Sequence, residues 1–168
     1  MTTLSRRAAL TACVAALVLT LAGCWTGQNA YTSQQQPSGD GGFATVGKIQ
    51  VRQTVLVQTN PVTGADTLSI SLANDGASDD VLQALVVGDG TATTSLPTAG
   101  LNLPAGGATS LSWNGAPSVG VYGLKAGLST FVRVTLVFRD AGTTAVQALV
   151  VPATGYYAGI TAAPATKP

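Results

Sequence analysis

The sequence predicts an all-β fold, an antiparallel β-sandwich of Greek-key type with about seven short strands, on three observations. Apolar and polar residues alternate in GKIQVRQTVLVQ (47–58), in TLSISLAN (67–74) and in FVRVTLVF (131–138). Leu68, Ile70 and Leu72 share one face of the second segment, and Val132, Val134, Leu136 and Phe138 share one face of the third. A period of two in β-favouring residues is the mark of a half-buried strand. Turn signals separate these runs: Asn60-Pro61 with Gly64, Asp75-Gly76, Gly88-Asp89-Gly90, Pro104 with Gly106-Gly107, Asn114-Gly115, and Asp140 to Gly142. Helical periodicity is absent after residue 23.

The elements follow in order. Arg6 and Arg7 stand in an acid-free start, and Ala8 to Leu21 is apolar apart from Thr11, Cys13 and Thr20. A charged segment followed by an apolar run of this length is a secretory leader, too short to span a bilayer by itself. Leu21-Ala22-Gly23-Cys24 then resembles the bacterial lipobox. That resemblance implies a diacylglycerol on the Cys24 thiol, cleavage of residues 1–23 as signal peptide, and further acylation of the new terminus. Ser5-Arg6-Arg7 with Leu10 also partly resembles a twin-arginine export signal, and a plain Sec leader carries two arginines as readily. An ordinary signal peptide or a buried first helix is the simpler alternative.

Residues 24–45 are rich in Gly, Gln and Ser and have few core-forming side chains, so they read as a flexible tether. About twenty residues of such coil span roughly 25 Å, which stands a domain off a membrane. Residues 46–152 carry the sandwich, and residues 153–168, small and Pro-punctuated, form a loose tail. Cys13 lies in the leader and Cys24 takes the lipid, so no disulfide staples the mature domain and its core has to hold it. A chain of this length can bury about two thirds of its unfolded surface.

Composition narrows function further. There is no Glu and no His, and from residue 24 onward six Lys or Arg face seven Asp, a net charge near −1. Nucleic acid is therefore not an expected partner. No polybasic patch binds membrane either, so the membrane partner is reached through lipid on Cys24. One acyl chain holds only marginally, while two or three hold firmly, at about 0.8 kcal/mol per buried methylene.

Asn74, Gly76, Asp80 and Leu82 fit Asn-x-Gly-x-x-x-Asp-x-Leu, LPAGG follows at 103–107, and GLKAGLSTFVRVTLVF closes at 123–138. In this order, over residues 46–152, the motifs resemble the periplasmic copper chaperones of the PCu(A)C type, whose fold is a cupredoxin-like, hence immunoglobulin-like, β-sandwich. The resemblance also implies a His-x-Met pair ahead of Gly123-Leu124, with another His and Met from earlier strands. Counting back from Gly123 puts that pair at Ser118 and Gly120. With no His, and with Met1 the only Met, the chain lacks the soft donors that select Cu(I). It resembles instead the His-poor LpqE-type lipoproteins of actinobacteria, so neither a copper cofactor nor any other is expected.

The remaining features read as structure. Asn74, Asp75, Asp79 and Asp80 offer four side-chain oxygens in a short span, yet an EF-hand-like calcium loop ends in a Glu that this chain lacks. Asn and Asp closing a turn onto nearby backbone N–H groups is the simpler account. Without His there is no Ser-His-Asp triad, and without a free Cys no thiolate nucleophile. Lys48 and Lys125 could partner a Ser, but no Ser-x-x-Lys motif occurs. Trp113, Tyr122, Tyr156 and Tyr157 read as core and edge packing rather than as a sugar or lipid platform. Neighbours in extended chain point to opposite sides, so Tyr156-Tyr157 is the pair in which one ring would be exposed.

The expectation is a lipid-anchored protein on the extracytoplasmic face of the cell membrane, not an enzyme, acting as a binding or assembly module for an envelope protein or ligand. The rival is a metal-handling envelope protein, for copper or calcium. Cys24→Ser removes the lipid site, so the variant should no longer partition into detergent with membranes. Membrane fractionation like that of wild type, or unmodified Cys24 in native material by mass spectrometry, overturns the anchor.

Overall fold

The computed structural model describes residues 41–60, 65–113 and 116–160. The leader, Cys24, most of the tether and residues 161–168 lie outside the described residues. Ten strands follow in order: β1 (Gly42–Val46), β2 (Ile49–Asn60), β3 (Ala65–Asn74), β4 (Asp80–Val87), β5 (Thr93–Thr94), β6 (Leu101–Leu103), β7 (Ala108–Leu111), β8 (Val119–Tyr122), β9 (Phe131–Phe138) and β10 (Thr143–Pro152). A 3-10 turn, Gly155–Tyr157, comes after them. No helix among the described residues is long and apolar enough to cross a membrane.

The strands form one curled sheet in the order β5-β8-β3-β2-β10-β9-β4-β6, with β1 added on β2 and β7 on β3. Curling brings the inward faces together: Leu56 of β2, Leu68 and Leu72 of β3, Leu82 of β4, and Val134 and Leu136 of β9 are each 0% exposed in one cluster. The predicted inward faces of 68–72 and 132–138 are the observed ones. Burying these alternate residues is the main driving force for a sandwich without disulfides.

Every pairing is antiparallel except one, β2 with β10, which run parallel with Val55, Leu56, Val57 and Gln58 opposite Leu149, Val150, Val151 and Pro152. Parallel pairs are found buried on both faces and read as unbroken apolar runs, and VLV and LVV are such runs. Leu56 and Val150 point into the main core. Val55, Val57 and Val151 point the other way, into a second cluster completed by Ile160 and flanked by Trp113, Leu149, Ala153 and Tyr157.

A bulge makes the double facing possible. The β2–β3 register slips between Arg52 and Val55, and Gln53 adopts a left-handed φ of 52°. Before the slip Ile49 and Val51 face the core, and after it Leu56 does. An extra residue in one strand shifts which side chains face inward. Gly41 lies against the bulge so closely that a Cβ there would sit 2.6 Å from the Gln53 Cα, so the crossing needs a residue without a side chain.

Two boundaries differ from the sequence expectation. The sheet takes in residues 42–45, which composition assigned to the tether, because strand pairing with β2 uses backbone groups and asks little of the side chains. Residues 153–160, assigned to the loose tail, turn back so that Ile160, 4% exposed, covers the parallel pair.

Asp66 is a buried carboxyl on the inner side. It alternates with Leu68 and Ile70 on β3, lies opposite Gln58 and Val121, and is 2% exposed. Its Oδ1 has no hydrogen-bond partner among the described residues, and burial lifts its carboxyl from 3.8 to about 6. The fold therefore favours the protonated form, and that stability, complete below about pH 4, is lost as pH rises through about 6. Lowering pH from 7.5 to 5 should raise the melting temperature, by the equivalent of about 1 kcal/mol. Asp66→Asn should abolish this rise; a melting temperature flat or falling over that range in wild type contradicts it.

Candidate functional site

Three places on this frame concern function: the end of β8 where the resemblance sets a metal pair, the acidic turn after β3, and an open groove between two loops.

Ser118 precedes β8 and Gly120 lies within it, paired with Thr67 of β3. Val119 and Val121 of β8 point into the core, which leaves Gly120 and Tyr122 on the other face. The Gly120 amide donates to Ser95 Oγ at 2.7 Å and the Ser95 amide donates to the Gly120 carbonyl at 3.0 Å, tying the strand to the segment after β5. The Tyr122 ring lies across Gly120: a Cβ added at 120 would meet its Cζ at 2.6 Å. Gly120 is itself buried, so the space a thioether would need is occupied by a phenol. The donors at hand are hydroxyls and amides, hard ligands that do not hold Cu(I). A copper ion does not fit the residues at this position.

The acidic cluster forms a clasp of three turns. Asn74 is 2% exposed; its Oδ1 accepts from the Gly76 amide at 2.9 Å, and its Nδ2 donates to the carbonyls of Ser78 (2.9 Å) and Leu103 (3.0 Å). The Asn74 amide donates to the Gly107 carbonyl, and the Gly106 amide to that of Gly76, so LPAGG is bound to this turn. Asp79 Oδ1 accepts from the Ala105 amide at 2.9 Å. Asp80, 5% exposed, reaches the β9–β10 turn. Its Oδ1 accepts from the Val81 and Asp140 amides (2.7 and 3.0 Å), and its Oδ2 from that of Ala141 (2.9 Å). Burial alone would raise its carboxyl, but the amides of Asp140, Val81 and Ala141, with the Arg139 charge, more than offset this and hold it below the usual carboxylate range. Arg139 in turn donates to Asp140 at 2.8 Å and to the Asp79 carbonyl at 2.9 Å. Asp75 stands apart from Asp80 in its bonding and accepts from Gln50.

Of the four oxygen side chains read from the sequence, Asn74, Asp79 and Asp80 are thus brought together and Asp75 is not, and each of the four accepts a protein N–H. A cavity of about 540 Å³ lies beside them, against Lys48 and Ala141. The motif Asn-x-Gly-x-x-x-Asp-x-Leu is therefore a structural device, with Leu82 placing the next strand in the core.

The third place was not legible in the sequence. A groove of about 1030 Å³ opens between the β4–β5 and β8–β9 loops, with Lys125 and Arg133 along it, Asp89 at one side, and Leu124 and Phe131 as its apolar surface. Phe131, at the start of β9, is 66% exposed and Leu128, in the loop before it, 47%. Phe131 heads the predicted strand on its outward side, and only the three-dimensional course of the two loops makes a concavity of it. Lys48 and Lys125 lie in different cavities, so they do not form one site.

Of the aromatic residues, Tyr156 is 70% exposed and Tyr157 half-buried in the second cluster, the division anticipated for adjacent residues.

Asp80→Ala leaves three backbone N–H groups without their acceptor and should lower stability by about 2 kcal/mol or more. Because the folded carboxyl titrates below its unfolded value, this contribution is present above about pH 4 and fades as pH falls. Denaturant melts at pH 7 and pH 3 check both; a calcium-dependent stabilisation that Asp80→Ala removes would instead establish a metal site.

No protein-family profile and no curated protein matches the chain. Solved structures do. The apo PCuAC domain from PmoF1 matches with TM-score 0.57 and 23% identity over 66% of this chain and 98% of that one. The copper-bound PCuAC domain from PmoF2 gives 0.55 and 19% over 66% and 97%, and the apo PmoF2 PCuAC domain 0.56 and 19% over 68% and 97%. At these identities the likeness is one of fold: this chain has a PCuAC-like, cupredoxin-like β-sandwich frame.

Proposed function

We propose that this chain is a lipid-anchored protein of the cell envelope, of the LpqE-type kind, acting as a non-catalytic binding or assembly module on a copper-chaperone-like frame without the copper ligands. The observation that carries the reading is at β8, where Gly120 lies under the Tyr122 ring and is tied to Ser95. The described residues contain no His, Met or Cys, so no soft donor set can be assembled from any strand. The leader, lipobox and tether support attachment through Cys24. The absence of His and of a free thiol in the mature chain supports a non-catalytic role. The groove at Lys125, Arg133 and Phe131 supplies a surface with both charge and apolar area, as binding faces have.

Copper competition tests it. The full chain carrying Cys13→Ser and Cys24→Ser, so that no thiol interferes, is loaded anaerobically with Cu(I) and challenged with a bicinchoninate-type chelator. Essentially no copper should remain after desalting, and one tightly held ion per chain would establish the metal-handling rival. Adding Ser118→His and Gly120→Met should still give no tight site, since Tyr122 fills the space at 120 and the other two donors are missing.

A further inference from the structure

The geometry points to a saccharide-binding site at Trp113 and Tyr156, shaped for a neutral polyhydroxylated ring. It deepens the reading of this chain as a binding module by naming a ligand class. Trp113 stands where the chain leaves β7 on its way to β8, and the Tyr156 ring stacks on it with centroids 4.8 Å apart and planes 26° from parallel. Tyr157 meets Tyr156 edge-on at 5.2 Å and 88°. Trp113 and Tyr157 are anchored in the second core cluster, so Tyr156 is held by two fixed neighbours. Yet it remains 70% exposed. A large ring immobilised by packing and still exposed contributes little to the core and presents a ready surface.

A cavity of about 80 Å³ adjoins the rings. Val55 is at its base, Ser69 and Ser71 of β3 and Ser110 of β7 supply hydroxyls, and Gln53 supplies an amide. Ser71 and Ser110 are direct cross-strand partners, as are Val55 and Ser69, so the hydroxyls form a row on one face of the sheet. Apart from the tyrosine phenols, no ionisable side chain among the described residues lines it. Hydroxyls and a primary amide both donate and accept, as the hydroxyl edge of a sugar requires. The C–H face of a sugar ring packs on an aromatic face. The lining offers an ion no charge to pair with, and at about 80 Å³ the cavity admits a hydroxyl-bearing edge of a sugar and not a whole ring.

Backbone conformation converges on the same spot. Only three non-glycine residues among those described have a left-handed φ: Gln53 (52°), Ser112 (59°) and Ser129 (62°). Gln53 lines the cavity and Ser112 immediately precedes Trp113. Ser112 is held there from both sides: its amide donates to the Pro117 carbonyl at 2.9 Å and its Oγ accepts from the Val119 amide at 3.1 Å. Uncommon backbone conformations persist where the surroundings over-determine them, often at binding sites. Here they aim the amide and the indole.

Trp25→Phe in the full chain leaves Trp113 as the single tryptophan, so its emission reports on the platform. Cellohexaose, mannohexaose, maltohexaose and chitohexaose are titrated separately to about 10 mM, the range of weak specific binding. At least one should shift Trp113 emission saturably. Tyr156→Ala, at an exposed position that leaves the melting temperature in place, should weaken that binding about tenfold, and Tyr156→Phe should restore it. Gln53→Gly keeps the left-handed backbone, removes the amide, and should weaken binding about threefold. No saturable response to any of the four sugars overturns the site, as does binding indifferent to Tyr156→Ala, or stronger binding of dextran sulfate that high salt abolishes. The copper competition tests the binding-module reading separately, so a chain that retains no copper and binds none of these sugars overturns the saccharide site alone.

Discussion

The parallel pairing of β2 with β10 is the constraint on which the rest of the structure depends. It joins an early strand to the last one and closes the sheet order between the β3 side and the β9 side. A parallel pair cannot be made by a tight turn, so everything between residues 60 and 143 is the connection that returns the chain to it. Such a pair is stable only with apolar cover on both faces. The main core supplies one cover through Leu56 and Val150, and the second cluster supplies the other through Val55, Val57, Val151 and Ile160. That second cover explains why the chain continues past β10 and turns back instead of ending there, and why Trp113 sits where it does.

The clasp at Asn74 and Asp80 performs a complementary task at the end of the strands. Three connections of unrelated sequence position, after β3, after β6 and after β9, meet there, and their backbone amides need acceptors. Three short polar side chains supply them, Asn74 after β3, Asp79 for the turn after β6 and Asp80 for the turn after β9. Buried backbone donors are costly to leave unpaired, so a few side chains fix the mutual positions of three turns. The segments that carry the resemblance to copper chaperones are these turns, together with the inward face of β9. They specify a frame.

Much of this was legible in the sequence. Leu68, Ile70 and Leu72, and the four alternate residues of β9, announce their inward faces, because period-two burial is a local property written in consecutive residues. Asn74 and Asp80 announce a turn, since Asx side chains bond nearby amides. What was not legible depends on partners far along the chain. Val55-Leu56-Val57 breaks the alternation, and the reason is a bulge at Gln53 and cover from residue 160. β1 is a five-residue strand directly behind a Gly-rich stretch, too short to declare itself, and it acquires strand structure from β2. Asp66 looks like part of a polar strand start, while pairing with Val121 puts its carboxyl inside. The groove at Phe131 follows from the course of two loops, which no local pattern encodes.

One edge of β3 gathers the sites that distinguish this chain. β7 pairs with residues 70–73 there and β8 with residues 65–68, so the edge changes partner midway. Between these partners, the described residues 112, 113 and 116–118 owe no register to the sheet. Trp113 stands at one end of these, and Ser118 with Gly120 lies at the other. Core residues on β3, β7 and β8 point away from this edge into the common interior, so side chains here can differ without disturbing what holds the frame. At β8 the occupant of that freedom is a tyrosine laid over a glycine. At the β7 end it is an indole, carrying a second exposed ring supplied by the returning tail. The same return that covers the parallel pair therefore brings Tyr156 to Trp113, and the platform is a consequence of closing the sheet.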